Sequence, residues 1–222
     1  YTVVDASTVV ATHLSEILQS HASELIGHEE VQQLLDVLAR AAPKLVEDLV
    51  PKTLGLGQLV KVLQNLLQEK VPIRDIRTIA ETLAESAGQS QDIGVLTARV
   101  RVALSRTIVQ QLAGPKEEIP VAVLDPGLEQ ILQQTLQPSE EGGMGFEPGL
   151  AEQLQKALSE TASQQEMAGQ QSLLLVAAPV RPWLARFARH SVPGMRVLSY
   201  NEIPDNRQIK VVATVGKPNV EH

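Results

Sequence analysis

The residues able to do chemistry are few, and their spacing works against it. His13 and His21 lie eight apart on one predicted helix, too far for joint chelation without a bend, and no acid completes a site. They read as surface histidines. The chain has no cysteine, which removes disulfides, thiolate nucleophiles and thiolate metal sites together and fits a reducing compartment. Gly55-Leu56-Gly57 lacks the third glycine and the preceding strand of a dinucleotide loop, and no Gly-Lys-Ser or Gly-Lys-Thr follows a glycine-rich turn. Glu140-Glu141 stands beside Gly142-Gly143 and reads as a solvated loop. No nucleophile, base and orienting acid can be assembled from spacing, so the expectation is a non-enzymatic chain without metal or cofactor.

Binding surfaces are better served. Trp183 and Phe187, four apart on one predicted helix, either fill a small core or anchor a partner. Residues 56–69, a turn at Lys70-Val71-Pro72 and a following helix carrying Arg74 and Arg77 could form a helix-turn-helix, which opens the alternative of a nucleic-acid or regulatory binding module. The net charge of −7 and the lack of a basic run weigh against DNA readout, and no nucleic-acid partner is expected.

These residues need elements to hold them. Apolar residues make up 43% of the 222 positions and aromatics only 2%, so the core must be aliphatic, a palette that favours helices. From Ser7 to about Gly114 helical periodicity dominates. Helices are expected at 6–26 with Ser7 as N-cap and a stripe of Val10, Leu14, Ile17, Leu18 and Leu25, then at 28–40, 43–49, 56–69, 73–87 and 92–112. In the fifth, Pro72 suits the first turn, Asp75 complements the helix dipole, Ile73, Ile76, Ile79 and Leu83 form the apolar face, and Arg77 and Glu81 are spaced for an ion pair.

After a Gly-Pro linker at 113–118 the pattern becomes short apolar runs between helices. Strands are expected at 121–124, 172–176, 196–199 and 209–215, with helices after Pro126, at 148–168 and at 181–190. The fold class is α+β: a mostly helical subdomain at 26–112, then a small α/β subdomain at 119–216 with a mixed sheet of about four strands, parallel at least in part. Tyr1 to Leu25 reads as the closing strand and helix of an upstream subdomain, and 217–222 as a tail with a tag remnant. No run of about 18 uncharged apolar residues exists, so no membrane-spanning helix is predicted.

Three stretches carry a resemblance: "YTVVDASTVVATHLSEIL" at 1–18, "PKLVEDLVPKTLGLGQLVKVLQNLLQEKVPIRDIRTIAETLAE" at 43–85, and "LLLVAAPVRPWLARFARHSVPGMRVLSYNEIPDNRQIKVVATVG" at 173–216. They resemble the cytoplasmic domain of the FlhA family, the export-gate component of flagellar type III secretion. Virulence-system homologues share the Val-Pro-Ile-Arg type of helix entry.

The resemblance implies a protein with an N-terminal membrane region and a cytoplasmic part of four subdomains that forms a ring, of nine subunits, at the cytoplasmic face of the bacterial inner membrane. It places residues 1–25 in the first subdomain, about 26–105 in the helical third and about 106–216 in the α/β fourth. The implied partners are flagellar chaperone-substrate complexes, the export ATPase complex and a companion gate protein. The implied role is receipt of chaperone-bound substrates and switching between substrate classes. Val4, Val9 and Thr12 match the chaperone-binding surface. On the residues alone, both valines could equally be core positions of a subdomain seen only in part.

Overall fold

The computed structural model describes residues 5–114, 118–136 and 148–216. The chain divides into two compact units, 1–104 and 105–222. The first is helical: α1 (Ala6–Ser20), α2 (His28–Ala41), α3 (Pro43–Glu47), α4 (Leu56–Gln68), α5 (Ile76–Ser86) and α6 (Ile93–Ala103). Its core is aliphatic, as the composition requires: Val31, Leu35, Leu59, Val62, Leu63, Leu66, Ile79, Leu83, Leu96 and Val100 are all at most 2% exposed. α6 packs against both α4 and α5. Across the α4–α6 contact two polar pairs repeat at the four-residue helical spacing. Asn65 Nδ2 donates to Thr97 Oγ1 at 3.2 Å, and Glu69 Oε2 lies 2.9 Å from Nη1 of the buried Arg101.

Several helix boundaries differ from expectation, each for a local reason. α1 stops at Ser20, not 26, because Ile26 is buried in the core and Gln64 Nε2 grips its carbonyl at 3.0 Å, which obliges the chain to turn. Its N-cap position is Asp5, whose carbonyl accepts the Val9 N–H, and Ser7 lies inside the helix. The helix after Pro43 gives way to an irregular segment, Asp48–Thr53, in which Val50 is extended and the Val50–Pro51 peptide is cis. α5 starts at Ile76, so Pro72 is not its first turn. Val71 is buried and ties back to the Leu66 carbonyl, Lys70 takes φ 55°, and Asp75 then caps the helix by accepting Thr78 N at 3.1 Å and Thr78 Oγ1 at 2.7 Å. The expected helix at 92–112 is two helices, broken at the buried Leu104, where the division between the units falls.

The second unit comprises α7 (Ser105–Ala113), β1 (Glu118–Leu124), α8 (Pro126–Thr135), α9 (Pro148–Met167), β2 (Leu173–Val176), α10 (Arg181–Ser191), β3 (Arg196–Ser199) and β4 (Gln208–Val215). Among the described residues four strands are present in the order β3-β2-β1-β4, and every pairing is parallel, so the expected mixed sheet is here a parallel one. The reason is connectivity: each successive pair of strands is joined by a crossover, and no strand is followed by a tight hairpin. β4 carries one extra residue, Val212, where the register with β1 shifts between Val121 and Ala122.

Leu132 of α8, Leu154, Leu158 and Ala162 of α9, and Leu184, Ala188 and Val192 at the end of α10 close on Ala122, Leu124, Leu174, Val176 and Val215 of the sheet. Leu154 and Leu158, four apart on α9, both lie in this core. Among the described residues no helix is long and apolar enough to cross a membrane. The strand expected at the start of the chain lies outside the described residues, except for Asp5.

Candidate docking surface

α1 begins where Asp5, in extended conformation, hands its carbonyl to the Val9 N–H at 3.1 Å. The helix buries none of its residues. Val9 is 55% exposed and Val10 66%, with Leu14, Ile17 and Leu18 also open to solvent. At about 100° per residue, Val9 and Thr12 fall about 60° apart on one side, while Val10, Leu14, Ile17 and Leu18 form a separate apolar stripe away from them. The Thr12 hydroxyl donates to the Thr8 carbonyl at 2.8 Å. That bond holds the side chain in one rotamer and leaves its methyl group and an acceptor lone pair for a partner. Of the three expected contact residues, Val9 and Thr12 thus share one exposed face, and Val4 lies outside the described residues.

The remaining candidates are dispersed. His13 is exposed, and His21 Nδ1 lies 3.1 Å from Glu24 Oε1, an ordinary surface contact. Among the described residues no group of three metal-binding side chains comes together. Gly55 is the N-cap of α4, where its N–H donates to Gln58 Oε1 at 3.0 Å, so the Gly-Leu-Gly motif serves a helix start. Glu140 and Glu141 lie outside the described residues. Arg74 sits in the extended connection before α5, not on it, and Arg77 Nε is held by Glu81 Oε1 at 2.8 Å, which raises the Arg77 pKa. The two arginines therefore do not present a common helical reading face. Trp183 and Phe187 stack at 5.1 Å with 16° between the rings and lie half-buried against the core of the second unit.

One polar cluster was not foreseen. At the C-terminal edge of the sheet, Glu129 of α8 accepts the Ala177 N–H beyond β2. Tyr200, just after β3, has its pKa pushed up by burial and, secondarily, by the charge of Glu129. Beside β3 the buried Arg181 at the start of α10 faces the buried Glu202, Nε to Oε1 3.8 Å. The only sequence signal was polarity at strand ends, a general property of surface connections. The cluster pins the crossover from β3 to β4 and offers no nucleophile with a partnered base.

Comparison with known proteins gives one consistent result. The family model described as the FHIPEP family matches residues 1–208. The flagellar biosynthesis protein FlhA of Escherichia coli (strain K12) is 55% identical over 216 residues, covering 97% of this chain and 31% of that protein. The chain thus spans about a third of the length of the curated relatives it matches. Among solved structures, nonameric EPEC SctV-C is similar with a TM-score of 0.82 at 30% identity, over 93% of this chain and 62% of that one. A chain of the Chlamydia pneumoniae CdsV and CdsO protein complex is similar with a TM-score of 0.84 at 27% identity, over 93% of this chain and 60% of that one.

Proposed function

Because the chain belongs to the FHIPEP family, we propose that it is a non-enzymatic docking and ring-building part of a flagellar type III export gate, working at the cytoplasmic face of the inner membrane. Chaperone-bound substrates dock on α1, and capture at a ring raises their concentration beside the export channel. The observation that carries the reading is the exposed pair Val9 and Thr12, three apart on a helix that buries none of its own residues. An amphipathic helix laid along α1 would find a methyl-rich contact with a polar edge.

Self-association into a ring, of nine subunits, is proposed from the likeness to nonameric EPEC SctV-C. The likeness to a chain of the CdsV and CdsO protein complex supports contact with further export-apparatus proteins; the ATPase complex and the companion gate protein are the partners the family resemblance implies. Switching between substrate classes would follow from a change in which docking state of the ring is populated. A nucleic-acid role is not favoured, since Arg77 is engaged by Glu81 and Arg74 lies off the helix.

The test is calorimetric titration of flagellar chaperone-substrate complexes into this chain extended upstream within the relatives' additional sequence, beside its Thr12→Ala variant. Weaker binding by the variant at an unchanged melting temperature supports docking on α1. Equal binding by the two, or none by the folded wild type, overturns it.

A further inference from the structure

We propose that Glu16 is a specificity-determining residue of the α1 docking face, and that the face takes an amphipathic helix with a lysine or arginine on its contact side. The inference rests on the reading of α1 as the docking helix and adds the charge its partner must bring. Val9, Thr12 and Glu16 stand at i, i+3 and i+7, within about 60° of one another around the axis, the spacing at which one helix reads another. All three are exposed.

Charge singles Glu16 out. Between Asp5 and Asp36 the chain carries Asp5, Glu16, Glu24, Glu29, Glu30 and Asp36, and the first lysine or arginine is Arg40. Three of these acids are engaged locally: Glu24 by His21 at 3.1 Å, Glu30 by the Gly27 N–H at 2.8 Å, and Asp36 by Gln32 Nε2 at 2.9 Å. Among the described residues no side-chain contact is seen for Glu16, nor for Asp5 or Glu29, and of these Glu16 is the one inside α1, on the side that carries Val9 and Thr12. An acidic partner helix would be repelled there, and an apolar one would strip water from a carboxylate without replacing its hydrogen bonds. A cationic side chain removes both costs. The apolar stripe of Val10, Leu14, Ile17 and Leu18 carries no charge and makes no such demand, so the two sides of α1 select different neighbours.

The experiment uses the same upstream-extended chain and the same flagellar chaperone-substrate complexes, with Glu16→Gln, Glu16→Lys and Thr12→Ala, at about 50 and about 300 mM salt, a range over which screening of exposed charges changes strongly. The expected result is about 2- to 5-fold weaker binding for Glu16→Gln at low salt, a flatter salt dependence, and a larger loss for Glu16→Lys, all at unchanged melting temperature. If both Glu16 variants match the wild type in affinity and salt dependence while Thr12→Ala weakens, the cationic partner is overturned and docking on α1 stands. Tighter binding by Glu16→Lys overturns it too, since the partner would then be acidic. If no variant differs from the wild type, or the wild type does not bind, both readings fall.

Discussion

Arg181 and Glu202 face each other beside the C-terminal end of β3 with Nε and Oε1 3.8 Å apart, their side chains 5% and 2% exposed. The pair joins the first turn of α10 to the short turn after β3, and so ties a helix to the crossover that carries the chain to the opposite edge of the sheet. Each of the two buried charges faces the other, which offsets part of the cost of taking both out of water.

Removing one of them should be costly. Glu202→Ala is expected to destabilise the second unit by about 3–5 kcal/mol, because it removes the carboxylate that faces a buried guanidinium, whereas Arg181→Met combined with Glu202→Leu should cost far less than the two single changes together. Urea unfolding followed by fluorescence checks this, since Trp183, the chain's one tryptophan, sits in the same helix as Arg181.

Burial also separates two leucines that look alike in the sequence. Leu63 of α4 is fully buried and Leu14 of α1 is 54% exposed. Leu63→Ala should cost the first unit about 2–5 kcal/mol, and Leu14→Ala in this chain less than about 0.5 kcal/mol. Circular dichroism on denaturant titration reads both.

Gly216 follows β4 with φ 94°, and a Cβ there would approach Leu128 Cδ2 to 2.6 Å. Gly216→Ala should therefore lower stability by about 1–3 kcal/mol through backbone strain and overpacking together. The melting temperature of the variant is the measurement. A shift no larger than that of Gly88→Ala, where the added methyl meets nothing within 4 Å, would refute the account.

Acid sensitivity should include a contribution from the start of α2. The backbone N–H groups of Glu30 itself and of Gly27 hold the Glu30 carboxylate pKa below its ordinary value. A folded pKa depressed below the unfolded one contributes stability that is present above the unfolded pKa and lost as pH falls through the folded pKa. Melting temperatures of the wild type should thus fall more steeply below about pH 4.5 than those of Glu30→Gln, and the two curves should run parallel above about pH 6. Parallel curves throughout would count against the cap as a charged one.

Much of the fold was legible because local rules act locally. Every helix and strand expected after residue 27 has a counterpart, because periodicity reports which face of an element is apolar whatever that face later meets. Boundaries failed where a distant residue decided them. Asp75 and Pro72 both suit a helix start, and the choice fell to Asp75 because Val71 had to reach the core first. The parallel sheet and its β3-β2-β1-β4 order were set by crossovers that no single segment encodes.

At the candidate site the division is the same. The three-residue spacing of Val9 and Thr12, on a segment expected to be helical, is compatible with one shared side of a helix. That this side is open, and that the Thr12 hydroxyl is already satisfied by Thr8, could be decided only in three dimensions. Exposure depends on what else folds nearby, whereas helical phase depends only on the chain itself. For the same reason Arg181 and Glu202, 21 positions apart, gave no sign of their pairing until the sheet brought the start of α10 and the end of β3 together.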